Sequence, residues 1–97
     1  MIEEQLSASI FNFIVGLTES RKYDPEIIDG YDCYFSVAAE RKKRFVSEEE
    51  PDETVYNYTV DIQSIVAWDD EGFEPFFIDH RIAQDAIDKL LYDFNRL

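Results

Sequence analysis

Apolar side chains recur at helical spacing near both ends of the chain. The N-terminal stripe lies at i, i+4, i+7, i+8 and i+11 and consists of Leu6, Ile10, Phe13, Ile14 and Leu17. This spacing places the side chains on one face and predicts a helix over residues 2–18. The C-terminal stripe consists of Ile82, Ala83, Ala86, Ile87, Leu90, Leu91 and Phe94. It predicts a second helix over residues 80–95, with Asp79 as its N-cap.

Between the two stripes the pattern changes to the apolar–polar alternation that is typical of strands. The first predicted strand begins near Tyr31, and its alternation continues to Phe45. The second strand has a predicted face made of Tyr56, Tyr58, Val60, Ile62, Val66 and Trp68, interrupted at Ser64. The third strand, over residues 73–79, is predicted at an edge of the sheet because Pro75 has no N–H to donate.

Three segments interrupt these patterns and are predicted to be connections. Residues 19–30 contain Pro25 and Gly30, which disfavour a continued regular element. Residues 47–53 combine Pro51 with dense acidic charge, and residues 69–72 end in a glycine. The resulting order is helix, three strands, helix. It predicts one α+β domain over residues 1–97, with both helices packed on one face of a three-stranded antiparallel meander.

The hairpin formed by the first two strands is predicted to be longer than the helices that cover it. Strands of about 14 residues span roughly 45 Å, at about 3.3 Å per residue. A helix of about 17 residues spans only roughly 25 Å. The hairpin tip, around residues 39–58, is therefore expected to extend beyond the helices as a two-stranded arm.

Side-chain alternation gives the expected arm one face that combines cations with aromatic rings. This face carries Arg41, Lys43, Phe45, Tyr56 and Tyr58. Two interpretations remain open. The stems of the cations can cover the tyrosine rings within the arm itself. Alternatively, the strip is a contact surface for a partner or for a second copy of the chain.

The charge balance narrows the kinds of partner that the chain can bind. The chain has 22 acids and 9 bases, and its net charge is −13. Nucleic acids and anionic membranes are bound through Lys and Arg, so direct binding to either is not expected. A basic protein surface is expected instead, such as that of a nucleic-acid-binding complex. The candidate binding acids are Asp24, Glu26, Asp29 and Asp32 in the first connection, Asp69, Asp70, Glu71 and Glu74 around the last turn, and Asp85 and Asp88 on the second helix.

The sequence carries no residue pattern that indicates catalysis. His80 is the only histidine and Cys33 the only cysteine, so neither a zinc-type ligand set nor an internal disulfide is expected. The chain is therefore predicted not to be an enzyme and to have no metal or cofactor. It is predicted to be cytoplasmic, in a cell or in a phage host, because no apolar run approaches 18 residues and the N-terminus begins with acids.

In size, acidity and lack of catalytic motifs, the chain resembles the phage-encoded acidic inhibitors of restriction and CRISPR systems. That resemblance implies a non-catalytic inhibitor whose spaced carboxylates imitate the phosphates of nucleic acid. The alternative is a small acidic chaperone-like or scaffold protein, similar to type III secretion chaperones, that dimerises or binds partner segments through its sheet or hairpin. A monomer or a homodimer fits both hypotheses. A mimic needs one contiguous acidic face, whereas a chaperone needs an exposed apolar patch of several hundred Å².

Overall fold

The computed structural model describes residues 1–96 as two helices and four strands. The elements are α1 (Ile2–Ile14), β1 (Arg21–Ile28), β2 (Tyr31–Arg44), β3 (Glu53–Trp68), β4 (Pro75–Ile78) and α2 (His80–Asn95). The strands form one antiparallel sheet in the order β1-β2-β3-β4, and both helices contribute to its core. The predicted α+β fold, with two helices and a long hairpin, is confirmed, and the sheet has one strand more than predicted.

The ends of both helices follow from local chemistry. The Asp79 carboxylate accepts the N–H of Arg81, as the predicted N-cap of α2 should. α1 ends at Ile14, before the predicted end at residue 18. It does not continue through Gly16, a poor helix former, and the N–H of Leu17 instead donates to the Ile14 carbonyl at 2.9 Å. Neither helix described within residues 1–96 is long and apolar enough to cross a membrane.

Strand β1 occupies a segment that was predicted to be a connection, so that prediction is wrong. β1 pairs with the start of β2, and its register shifts between Tyr23 and Glu26. Asp24 and Pro25 form the resulting bulge. In a regular strand, Tyr23 and Ile28 would lie on opposite faces, because they are five positions apart. The bulge places both on the buried face. It therefore hides the alternation in the sequence, and an edge strand tolerates the proline there.

Strands β2 and β3 form the long hairpin, and its tip extends beyond the helices as predicted. The molecule measures 60 × 22 × 17 Å, and its radius of gyration is 15.8 Å. A compact domain of this length would have a radius of gyration of about 13 Å. Residues 40–46 and 51–54 are exposed, whereas Ala39 is half-buried and Tyr58 is buried. We call residues 40–57 the arm; its residues 55–57 are half-buried, and Tyr56 packs against the core, so the exposed overhang is shorter than predicted.

A second bulge changes the face on which the end of β3 lies. The register of the β2–β3 pair shifts by one residue at Gln63. Ile62 faces the helices before the shift, and Ile65 faces them after it and is fully buried. Val66 and Trp68 consequently lie on the other face of the sheet. The prediction that they share the face of Ile62 is wrong, because alternation was extrapolated through the bulge.

The core lies between the helices and one face of the sheet. Its largest fully buried apolar side chains are Phe35, Leu6, Ile10, Ile14, Ile65 and Ile87. The ring of Tyr23 stacks on Phe35 with the ring centroids 4.8 Å apart, and Phe13 meets it edge-on at 5.4 Å. The hydroxyl of Tyr23 is buried and has no hydrogen-bond partner within residues 1–96. A buried polar group without a partner destabilises the folded state.

Replacing Tyr23 with phenylalanine should raise the free energy of unfolding by about 1 kcal/mol, because the ring packing stays and the desolvated hydroxyl is removed. Urea unfolding followed by circular dichroism measures the change. Tyr58→Phe is the matched control, since the Tyr58 hydroxyl has two carbonyl acceptors and its removal should lower stability. A clear loss of stability in Tyr23→Phe would contradict the assignment of an unpartnered hydroxyl.

Candidate partner-binding surfaces

Two acidic segments meet at one end of the sheet. Asp32 near the start of β2 lies opposite Val66 near the end of β3. The turn between β1 and β2 therefore lies beside the turn between β3 and β4. We call this end the base. The segments that form it, residues 24–32 and 69–79, contain nine acids and no lysine or arginine. The structure thus brings together two of the three acidic clusters predicted from the sequence.

An apolar patch lies between these segments on the outer face, the sheet face that is turned away from the helices. The register aligns Ile27, Asp32, Val66 and Phe77 in one row across the four strands. Trp68 follows Val66 on the same face. The side chains of Ile27, Trp68 and Phe77 are 70 %, 50 % and 74 % exposed. We call Ile27, Val66, Trp68 and Phe77 the base patch.

Hydrogen bonds position the base patch and the turn beside it. The indole Nε1–H of Trp68 donates to the Asp32 carboxylate at 2.9 Å, which ties the ring to β2. The Asp69 carboxylate accepts the N–H of Phe73 at 2.8 Å, and the Asp69 carbonyl accepts the N–H of Gly72 at 2.9 Å. Gly72 has a φ of 75°, a conformation that favours glycine. Asp32 and Asp69 therefore have structural roles besides their charge.

The other acids at the base differ in how far they are engaged. Asp29 accepts the hydroxyl of Ser9 and so ties α1 to the β1–β2 turn. Asp24 lies 3.8 Å from the ammonium of Lys22 in an exposed pair, which contributes little to stability. The exposed acids of the β3–β4 turn form no ion pair within the described residues 1–96; they are Asp70, Glu71 and Glu74. Glu26 is half-buried on β1. The base thus keeps several carboxylates available to a partner.

The third predicted acidic cluster does not join the base. Asp85 and Asp88 lie on α2, on the helical side of the sheet, whereas the base patch lies on the outer face. The Asp88 carboxylate accepts the side-chain amide N–H of Gln84 at 2.8 Å. The acids of α2 and the acids of the base therefore do not form a single acidic face.

The arm has the predicted register. Arg41 lies opposite Tyr56, and Lys43 lies opposite Thr54, so both cations share the face of the tyrosine. The cation–π pairs within residues 1–96 are Arg21 with Tyr23 and Arg96 with Tyr92. Phe45 lies just beyond the end of β2 and is exposed. The arm strip thus remains a prediction for Arg41, Lys43, Phe45 and Tyr56.

Tyr58 belongs to the core, so its predicted place on the arm is wrong. It is 2 % exposed, and its hydroxyl donates to the Leu17 carbonyl at 2.6 Å and to the Val15 carbonyl at 3.2 Å. Its ring lies against Phe94, with the centroids 5.8 Å apart. Burial, and then the neighbouring Tyr56, raises the pKa of Tyr58, so the hydroxyl remains a donor at neutral pH. The segment after α1 and the end of α2 cover the part of the hairpin around Tyr58. Strand length alone does not predict this cover.

Two side-chain amides of α2 close part of the edge of β3. β4 pairs only with residues 65–68 of β3. Further along the same edge, the Gln84 amide accepts the Ile62 N–H and donates to the Val60 carbonyl, both at 2.7 Å. The Asn95 amide accepts the Tyr58 N–H at 2.9 Å and donates to the Tyr58 carbonyl at 2.8 Å. These amides take the place of a neighbouring strand and protect the edge from pairing with another chain.

The side chains that could carry chemistry are few. Within residues 1–96, no three His, Cys, Asp or Glu side chains are grouped so that they could hold a metal ion. Cys33 is fully buried. Burial, together with the charges of Asp29 and Asp32, raises the pKa of the Cys33 thiol to about 11. The thiolate is therefore scarce at neutral pH, which makes Cys33 a poor nucleophile.

Sequence reasoning did not identify Ile27 or Phe77 as parts of a surface. Ile27 lies on β1, which was predicted to be a connection, and Phe77 lies opposite Val66, whose face the bulge at Gln63 inverts, so their neighbours on the outer face could not be known. The available signal was the aromatic content of 15 %, which is more than a small core usually buries. That signal predicts exposed aromatic residues without saying which ones they are.

The chain matches no protein-family model, no curated protein and no solved structure. Its function therefore has to be inferred from its own surfaces.

Proposed function

We propose that this protein is a non-catalytic binding protein whose base binds a partner protein that carries apolar side chains beside lysines and arginines. The observation that supports this proposal is the coincidence of the exposed base patch with nine acids and no lysine or arginine in the surrounding segments. The patch supplies surface that can be removed from water, and the acidic rim selects partners of opposite charge.

The size of the base patch suits a specific contact. Its exposed aromatic side chains, Trp68 and Phe77, present on the order of 250 Å² of apolar surface, given about 150–250 Å² for a whole aromatic side chain. Ile27 adds apolar surface on the other side of Asp32. Together these side chains approach the size of the largest apolar patches on monomeric proteins, which are often functional. Trp68 lies within the base patch, and tryptophan is among the residues that contribute most to binding energy at interfaces.

Imitation of nucleic acid by a phage inhibitor, acting in the cytoplasm of the host cell, is a narrower form of this proposal. The partner would then be the nucleic-acid channel of a restriction or CRISPR complex, which is lined by lysines and arginines. Nine acids in two adjacent segments support this form. The apolar patch between them supports the broader form, in which the partner is a basic segment held by a chaperone-like protein.

The proposal is tested by affinity capture from a lysate of the native host at low and high salt, with the full chain as bait. A partner held through the base should be retained by the wild-type chain and lost from Phe77→Ser and from Asp70→Lys/Glu71→Lys. Retention should fall as salt is raised, because the acidic rim contributes to binding. Release by added duplex DNA would select the nucleic-acid-mimicking form, and retention in its presence would select the broader form.

Matched variants on the arm provide the controls. Phe45→Ser removes a phenylalanine of similar exposure, 70 % against 74 % for Phe77. Glu48→Lys/Glu49→Lys makes the same charge change at the hairpin tip. These variants should retain the partner. If the base variants and the arm variants bind equally well, the base is not the binding surface and the proposal is wrong.

A further inference from the structure

A groove runs between α1 and α2 on the helical side of the molecule, away from the base patch. Its volume is about 530 Å³. The residues of α1 that line it are Glu4, Ser7 and Ala8. The residues of α2 that line it are Ile82, Asp85, Ala86, Lys89, Leu90 and Asp93. The core of the protein does not use this surface, because the buried face of α2 consists of Ala83, Ile87 and Leu91.

Helical spacing separates the lining of the groove into an apolar row and a charged row. Ile82, Ala86 and Leu90 lie at i, i+4 and i+8 on α2 and form the apolar row. The side chains of Ile82 and Leu90 are 39 % and 37 % exposed. Ala8 is exposed on the α1 side, and buried Ser7 contributes to the lining. Small side chains here allow the backbone of a bound segment to approach closely.

The rim of the groove is acidic. Glu4 lies on α1, and Asp85 and Asp93 lie on α2, with Lys89 between them in the charged row. None of the three carboxylates forms an ion pair within the described part of the chain, residues 1–96. A segment that covers the apolar row would therefore be favoured if its flanks carried lysine or arginine.

We propose that this groove binds one amphipathic helix of a partner protein, with its apolar face on Ile82, Ala86 and Leu90 and basic residues along its flanks. Both walls are helices whose backbone groups are bonded internally, so the groove offers no edge to which an extended strand could pair. Ridges of side chains on two packed helices accept a third helix instead. A second copy of this chain is a poor occupant, because each copy has a net charge of −13.

The probe for this inference is a synthetic helical peptide of about four turns, with leucines at i, i+4 and i+8 and lysines on both flanks. A peptide with glutamates in place of the lysines is the control. Titration into the isotopically labelled full chain, followed by NMR, should show saturable binding of the basic peptide with shifts at residues of the groove. The acidic peptide should bind at least about tenfold more weakly, which is the effect expected of the acidic rim.

Variants show whether the groove itself is occupied. Ala8→Lys places a cation in the groove at an exposed helical position, and Asp85→Lys/Asp93→Lys reverses the charge of the rim. Each change should lower the affinity for the basic peptide by about tenfold or more. Gln63→Ala, an exposed substitution on the sheet away from the groove, should leave its affinity unchanged. Lack of binding, equal binding of both peptides, or shifts confined to the base patch would overturn the inference. So would sedimentation showing a dimer that Ala8→Lys dissociates, because the occupant would then be a second copy. Shifts confined to the base would overturn this inference while supporting the binding proposed for the base, so the two proposals fail separately.

Discussion

Replacing Tyr58 with serine should lower the free energy of unfolding by about 3–5 kcal/mol, the range for removing a large aromatic side chain from a core. The side chain is 2 % exposed, and its ring lies against Phe94. Its hydroxyl joins the carbonyls of Val15 and Leu17 to the root of the hairpin. The substitution removes these interactions together and leaves both carbonyls without this donor.

Two comparisons separate the contributions to this loss. Tyr58→Phe keeps the ring and removes the hydroxyl, so it should cost about 1 kcal/mol. Tyr56 lies two residues away on the same face but is only half-buried. Tyr56→Ser should therefore lower the free energy of unfolding by well under half as much as Tyr58→Ser. Chemical denaturation followed by circular dichroism measures all three variants. Similar small losses for Tyr58→Ser and Tyr56→Ser would show that the hairpin leaves the core before Tyr58.

Removing either side-chain amide that closes the β3 edge should also lower the stability of the fold substantially. Asn95→Ala leaves the N–H and the carbonyl of Tyr58 without their partner in a part-buried place, which should cost about 2 kcal/mol. Gln84→Ala does the same to the Ile62 N–H and the Val60 carbonyl and should cost a similar amount. Because the two amides act on neighbouring parts of one strand, the double variant need not show the sum of the two losses.

The same variants should expose the edge of β3 to other chains. Sedimentation velocity of Gln84→Ala/Asn95→Ala should show self-association that rises with protein concentration, since an open edge can pair with another strand. Gln63→Ala is the matched control, because the Gln63 amide bonds Ser36 and Asp61 on the exposed surface. It should change stability by less than about 0.5 kcal/mol and should not promote association. If the double variant is as stable as Gln63→Ala, the amides do not protect the edge.

The helices and the long hairpin could be predicted because their signals are local. The stripe from Leu6 to Ile14 and the alternation after Tyr31 each lie within one continuous segment. The N-cap Asp79 and the edge position of Pro75 follow from the chemistry of one residue. In each case the residues that carry the signal are also the residues that form the element.

The candidate surfaces could be predicted only in part. Acidic segments are visible in the sequence, but their meeting at the base depends on the pairing of β2 with β3. The base patch depends further on the bulge at Gln63, which turns Trp68 toward the outer face. The groove between the helices depends on how α1 and α2 pack together, and no residue on either helix indicates that arrangement by itself.

The sequence by itself determined the class of fold, the order of the predicted elements, the excess of acidic charge and the length of the hairpin, because periodicity and charge are properties of neighbouring residues. The tertiary structure decided the rest. It added β1, inverted the face of Val66 and Trp68, and placed Tyr58 in the core. These outcomes depend on one-residue bulges and on contacts between residues tens of positions apart. A single bulge exchanges the two faces of a strand without leaving a distinctive local pattern.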